Sequence, residues 1–216
     1  MKVQTYDKKP ITNPNDDIVI YDKNFVFQQP VTLFLEQFLE EPKNKYDFVI
    51  TDPNNVEYFK CMKVSNQKMV VYDINNAPLM NIQIKFLPLE INVYGGEDDQ
   101  KLIGSYISKA STVAEKCEFQ FVNQATQAAD TFDMNADKYY CSCGIFYGTE
   151  KENAPMIARF KEVMDANSFM TLCNKKYVID IAAKVDNTLI IALAIYFAEM
   201  YYHTRKNRLN YSDFTR

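Results

Sequence analysis

The stretch that decides the fold is Val185-Asp186-Asn187-Thr188-Leu189-Ile190-Ile191-Ala192-Leu193-Ala194-Ile195-Tyr196-Phe197-Ala198-Glu199-Met200-Tyr201. Asp186-Asn187-Thr188 offers the side-chain acceptors that begin helices, and an unbroken apolar run follows. A helix that is apolar on every side must be buried in protein or in lipid. Because a membrane span needs about 20 apolar residues and this run stops at Glu199, the pattern predicts a core helix at about residues 187–204. The alternative is a membrane span over residues 188–202.

The chain before this helix alternates between short apolar runs and turn residues. Asp52-Pro53-Asn54-Asn55 and Asp73–Pro78 are turn signals, whereas residues 123–137 are polar and rich in Ala, which indicates a loop or a short surface helix. Many short strands at close intervals are typical of an all-β sandwich or barrel. The predicted strands are Val31–Leu35, Tyr46–Thr51, Glu57–Val64, Met69–Tyr72, Leu79–Phe86, Glu90–Tyr94, Leu102–Ile107, Cys117–Val122, Tyr139–Phe146, Met156–Val163 and Tyr177–Ala182.

Composition narrows the class of protein. The apolar share of 47% is that of a globular chain, and 15 Tyr with 15 Phe suit a pleated sheet. The net charge of −4 argues against a nucleic-acid partner held by its phosphates. Residues 1–23 form a polar arm without the apolar core of a signal peptide, so the five cysteines are expected to be reduced thiols. We therefore expect a cytosolic or nuclear protein, or one that is peripheral at a membrane.

The closing segment is similar to that of the LURP-one-related family, which is grouped with the tubby C-terminal domain and the phospholipid scramblases. The family pattern is Val-Asp, an apolar helix, and then an acidic, an aliphatic and an aromatic residue, as in Val185–Tyr201. Asp73-Ile74-Asn75-Asn76-Ala77-Pro78 resembles the family's turn but lacks its Gly. Asn can adopt the same left-handed conformation. The Trp often found near Ile91–Tyr94 is also missing. The resemblance covers residues 25–202.

The resemblance implies a mainly β fold, a closed antiparallel barrel of about twelve strands around the buried C-terminal helix. The barrel domain would be residues 24–204, between the arm of residues 1–23 and a polar tail of residues 205–216. It also implies a non-catalytic binding or adaptor domain without a cofactor. Tubby-type relatives bind phosphoinositide headgroups at the barrel wall, so the partner would be an anionic phospholipid headgroup or a protein. The alternative is a scramblase-like, membrane-embedded protein that uses residues 188–202 as its span.

Metal-binding patterns are incomplete. Asp133-Met134-Asn135-Ala136-Asp137 has the first ligand positions of an EF-hand loop, but Lys138 replaces its Gly and Gly144 its bidentate Glu. We therefore expect a solvated loop. The scramblases carry an acidic calcium segment beside their helix, whereas residues 177–186 contain only Asp180 and Asp186.

Catalytic patterns are equally weak, so we predict that the chain is not an enzyme. Cys141 and Cys143 would share one strand face and are expected to be core thiols, because His203 is the only histidine and zinc motifs need more ligands. Asp16-Asp17, Glu40-Glu41 and Asp98-Asp99 are expected to be solvated pairs, and Gly95-Gly96 lacks the context of a phosphate loop. Arg205, Lys206 and Arg208 either complement the helix end or contact anionic lipid.

Overall fold

The computed structural model describes residues 6–39, 42–86, 89–109, 116–137, 141–163 and 174–213. Within them, twelve strands precede one α-helix. The elements are β1 (Val31–Gln37), β2 (Phe48–Thr51), β3 (Glu57–Ser65), β4 (Lys68–Asp73), β5 (Pro78–Phe86), β6 (Leu89–Gly95), β7 (Lys101–Lys109), β8 (Lys116–Asn123), β9 (Ala128–Ala136), β10 (Ser142–Tyr147), β11 (Met156–Glu162), β12 (Lys175–Ile181) and α1 (Asn187–Asp213).

The strands form a closed antiparallel barrel in which each strand pairs with its neighbours in the chain. β1 closes the barrel by pairing with β12, with Leu33 opposite Ile179. Closure leaves no sheet edge with unpaired backbone groups. The predicted fold class is therefore confirmed.

Helix α1 occupies the interior of the barrel. Leu189–Ala198 are at most 2% exposed and share one core with the inward side chains of the strands. Aromatic contacts tie the helix to the wall, with ring centroids 5.5 Å apart for Tyr106 and Tyr196 and 5.9 Å apart for Phe160 and Phe197. The predicted core helix is confirmed. Most of residues 188–202 are buried inside the barrel, which argues against their use as a membrane span. Among the described residues, no helix is both long enough and apolar enough to cross a membrane.

Two predicted boundaries are wrong. Residues 123–137 are mostly strand and not helix: residues 124–127 form a turn, and β9 then runs from Ala128 to Ala136 with Phe132 and Met134 in the core. Its outward side chains Asp133 and Asn135 are buried as well. Apolar and polar residues alternate only from Phe132 to Ala136, so the first half of the strand has no strand pattern. The helix does not end near residue 204 but continues to Asp213, so residues 205–213 of the predicted tail are helical.

The polar arm of residues 1–23 is partly built into the fold. Ile18 and Ile20 belong to the core, and Ile18 forms a parallel bridge with Val185. The short run Ile18-Val19-Ile20 lies among polar residues, which is why the sequence pattern assigns it to the arm.

Candidate functional site

The Asp186 carboxylate joins the start of α1 to the arm. It is fully buried, and its Oδ1 accepts from the Thr188 backbone N–H at 2.9 Å, which is the N-cap that the sequence predicts. Its Oδ2 accepts from the backbone N–H groups of Ile20, Tyr21 and Asp22 at 3.0, 2.7 and 3.2 Å. Asp186 is therefore a structural clamp, and its lone pairs are used by the protein.

A charged group lies at the opposite end of the barrel, where α1 leaves it. The Glu199 carboxylate is 2.7 Å from Lys63 Nζ, 3.0 Å from His203 Nε2 and 3.3 Å from Gln37 Nε2. Burial by itself raises the pKa of Glu199, but the hydrogen bond from His203 and the Lys63 ammonium outweigh it and lower the pKa below its usual value. The ion pair stabilises the Glu199 carboxylate where α1 leaves the apolar interior of the barrel.

A cavity of about 230 Å³ opens beside this ion pair, between the Ser65–Gln67 turn and the ring of Tyr202. Its apolar side is formed by Met69 and Ile84. Inside it the Lys63 ammonium is already paired with the Glu199 carboxylate, which would repel an anion. The cavity therefore fits a phosphate group poorly.

A basic cluster lies instead in the turn before β2 and on the neighbouring part of β3. We call Lys43, Lys45, Lys60 and Tyr46 the wall cluster. Lys45 Nζ and Lys60 Nζ stand 5.6 and 5.4 Å from the centroid of the Tyr46 ring. Glu57 is the acidic partner of both Lys43 (3.7 Å) and Lys60 (3.3 Å). Three lysines against one glutamate give the wall cluster an excess of positive charge.

The turn that presents the wall cluster is held in an unusual conformation. Asn44 and Lys45 both have positive φ, 51° and 73°, and the Tyr46 N–H donates to the Lys43 carbonyl at 2.9 Å. Two successive positive φ values define a type I′ turn, which is strained for Lys. The Tyr46 hydroxyl donates to Asn76 Oδ1 at 2.8 Å, so the ring between the lysines is fixed.

The acidic patterns singled out in the sequence have structural partners. Asp133 and Asp137 are buried, so the expectation of a solvated loop is wrong. Asp133 accepts from the Glu150 N–H at 2.9 Å, and Asp137 accepts from the Ser142 N–H at 2.6 Å. Among the described residues, no three His, Cys, Asp or Glu side chains are grouped to hold a metal ion. Asp180 is engaged by Arg159 Nη2 at 2.7 Å.

Among the described residues, the cysteines and the paired acids lie in separate parts of the fold. Cys143 is a core thiol as expected, but Cys141 is half-buried and precedes β10. Asp98 and Asp99 follow Gly96 in an exposed turn, where Asp99 accepts from Lys68 Nζ at 3.2 Å. Asp16 is exposed and Asp17 half-buried, and Glu40-Glu41 lies outside the described residues.

The wall cluster and the Glu199 ion pair were both missed from the sequence. Lys43-Asn44-Lys45-Tyr46 is a local signal, since it places two cations beside an aromatic residue. Lys63 and Glu199 are far apart in the chain, and no local pattern links them.

Comparisons with known proteins agree with this architecture. The sequence model described as LURP-one-related matches residues 31–198, from the first residue of β1 to the end of the buried part of α1. An X-ray structure of a protein from Arabidopsis thaliana has a TM-score of 0.58 and 17% sequence identity, and the match covers 85% of this chain and 98% of that chain. At that identity the likeness concerns the fold. No curated protein matches the sequence. Since the family match spans most of the chain and the whole barrel wall, the chain belongs to the LURP-one-related family.

Proposed function

We propose that this chain is a non-catalytic binding domain that contacts anionic phospholipid headgroups through the wall cluster. The observation that carries the proposal is the grouping of three lysines around a fixed tyrosine ring. The filled interior supports it, because the buried residues Leu189–Ala198 occupy the middle of the barrel in the described part of the chain. This favours a ligand site on the outside.

The chemistry of the wall cluster suits phosphate groups at a surface. The lysine ammonium groups carry a compact positive charge and donate hydrogen bonds that phosphate oxygens accept. The half-exposed Lys43 and the exposed Lys45 can reach a membrane surface. The rigid turn fixes their backbone before binding, which reduces the entropy lost on association. Strained backbone conformations of this kind are concentrated at functional positions.

The expected size of the contribution follows from the number of charges. Each Lys near an anionic surface contributes about 1 kcal/mol, so the three lysines together contribute about 3 kcal/mol, roughly a hundredfold in affinity. The interaction should weaken as salt rises, because the Debye length falls to about 8 Å at physiological ionic strength.

The test is flotation of the purified chain with phosphatidylcholine vesicles, with and without phosphoinositide, at low and physiological salt. The variant is Lys43→Gln/Lys45→Gln/Lys60→Gln. The matched control is Lys85→Gln/Lys151→Gln/Lys176→Gln, which removes equal charge from three exposed lysines elsewhere.

We expect the wild type and the control to float only with phosphoinositide vesicles, and the wall-cluster variant to bind roughly a hundredfold more weakly. Equal loss in both variants would mean that net charge alone drives binding and would refute the wall cluster as the site. A wild type that stays with neither kind of vesicle would refute the lipid proposal.

A further inference from the structure

Residues 6–13, which we call the N-terminal strap, lie across the outer wall of β10 and β11. Tyr6 of the strap forms a buried cluster with Phe146 and Met156 that is separate from the main core, and Ile11 packs against both. The wall beneath this segment has the features of a peptide-binding groove.

The groove contains a pocket that is shaped for an aromatic ring. Tyr6 is 2% exposed and meets Phe146 edge to face, with the ring centroids 6.0 Å apart. Gly144 opens the pocket, since a Cβ there would stand 2.8 Å from Tyr6 Cδ1 and 3.1 Å from Met156 Sδ. Contacts shorter than 3.0 Å are not tolerated by real Cβ atoms, so the ring and a side chain at position 144 exclude each other.

The polar end of the pocket recognises a hydroxyl and a cation. The Tyr6 hydroxyl donates to Glu150 Oε2 at 3.4 Å, and Lys9 Nζ lies 3.3 Å from Glu150 Oε1 and 4.2 Å above the Phe146 ring. Asn135 Nδ2 donates to Glu150 Oε2 at 2.9 Å and so fixes the carboxylate. Burial and the nearby Glu150 raise the pKa of Tyr6, so its hydroxyl remains a donor.

The wall also recognises the main chain of the strap. Arg159 Nη1 donates to the carbonyl of Asp7 at 2.7 Å, and the guanidinium is itself positioned by Asp180, at 2.7 Å from Nη2. The Thr12 N–H donates to the Met156 carbonyl at 2.8 Å. These contacts reach the main chain of the strap, so they do not depend on which side chains the strap carries at those positions.

The groove keeps its shape through contacts within the barrel that do not involve the strap. Glu150 is held by Asn135 and Asp133, and Arg159 by Asp180. On the strap, Asp7, Lys8, Pro10, Thr12 and Asn13 are exposed. Release of the ring of Tyr6 would therefore leave a formed pocket.

We propose that this groove is a docking site for a segment of a partner protein that carries the pattern Tyr-x-x-Lys, and that the N-terminal strap fills it in cis. The tyrosine enters the pocket over Gly144, and the lysine pairs with Glu150 above Phe146. The partner binds only when the strap leaves the groove, so competition by the strap lowers the apparent affinity for the partner. This inference is independent of the lipid-binding proposal, because the wall cluster lies in the turn before β2 and on β3, whereas the groove is formed by β10 and β11.

The test uses fluorescence anisotropy of a fluorescein-labelled peptide with the sequence of residues 4–13, titrated with the full chain. Three chains are compared: the wild type, Tyr6→Ser, and Tyr6→Ser/Gly144→Ala. A peptide with Ala at the position of Tyr6 is the ligand control, and thermal unfolding followed by circular dichroism verifies that each chain is folded.

We expect Tyr6→Ser to bind the peptide at least tenfold more tightly than the wild type, because a tethered segment competes at an effective concentration of about 1 mM. The added Gly144→Ala should weaken this binding at least tenfold, since the new Cβ fills the pocket. The Ala peptide should bind no chain. Equal binding by the wild type and Tyr6→Ser, no binding by Tyr6→Ser, or no effect of Gly144→Ala would each overturn the proposal. A wild-type dimer that Tyr6→Ser abolishes would overturn it too, since the occupant would then be a second copy.

Discussion

Replacement of Asp186 by Ala should destabilise both the helix and the arm that it holds. The carboxylate accepts from three successive backbone N–H groups of the arm and from Thr188, and no water reaches it. Ala leaves these donors without an acceptor, and a buried donor without a partner costs about 1–3 kcal/mol.

The size of the loss can be worked out along two routes. If the arm stays in place, most of the lost stability comes from the unpaired donors. The lost N-cap adds about 1 kcal/mol. If the arm lifts, the N–H groups are hydrated, but Ile18 and Ile20 leave the core at about 1.5–3 kcal/mol each. With the lost cap included, either route gives at least about 4 kcal/mol, a large share of the roughly 5–15 kcal/mol that stabilises a domain.

The assay is urea unfolding followed by circular dichroism, together with hydrogen exchange of the arm. With a slope of about 2 kcal/mol/M, the midpoint should fall by about 2 M, and the Ile20, Tyr21 and Asp22 amides should lose protection. Asp186→Asn is the matched control: it preserves shape and one acceptor oxygen and should cost less. A loss below about 1 kcal/mol with the arm amides still protected would refute the clamp.

Two further predictions concern the helix. Leu193→Asp should prevent folding, because an unpaired charge in the barrel interior costs several kcal/mol. The control Val64→Asp, at a side chain that is 53% exposed, should give the wild-type circular dichroism spectrum. A folded Leu193→Asp chain would contradict the core role of α1. For Glu199, the folded pKa lies below the unfolded value, for which 4.5 is the ordinary reference, so its ion pair with Lys63 adds stability above that value and loses it as the pH falls through the lowered pKa. The stability difference between wild type and Glu199→Gln, measured by thermal unfolding from about pH 7 to about pH 3, should therefore shrink on acidification, and a constant difference would contradict the assignment.

Much of the architecture could be predicted from local patterns. Strands such as β3 and β5 carry apolar residues at alternate positions, and α1 starts at Asp186 because a side-chain acceptor there satisfies the first N–H groups of the helix. β9 was not predicted, because its first half, Ala128–Thr131, shows no apolar alternation, and the short alternating run Phe132–Ala136 lies within a polar segment. The predicted end of α1 is too early because the prediction followed the apolar run. That run ends where the helix leaves the barrel, although the helix itself continues.

The candidate sites depend on contacts between distant residues, which local patterns do not contain. Tyr6 is an isolated aromatic residue in a polar arm, and its role depends on Gly144 and Glu150 in the second half of the chain. The wall cluster is an intermediate case, since Lys43, Lys45 and Tyr46 are adjacent in sequence but Lys60 joins them only when β2 pairs with β3.

The position of α1 after all twelve strands of the described chain has a consequence for synthesis. A ribosome makes β1 first, but its partner β12 and the helix that fills the barrel come last. Domains fold as units during synthesis at roughly 5–20 residues per second, so the inner strand faces stay uncovered for on the order of ten seconds or more before the helix can enter. During that interval the nascent chain exposes apolar strands and unpaired edges, which makes it a substrate for chaperones. A premature stop before residue 187 would release a sheet without its core, and we expect that product to aggregate instead of forming a smaller stable domain.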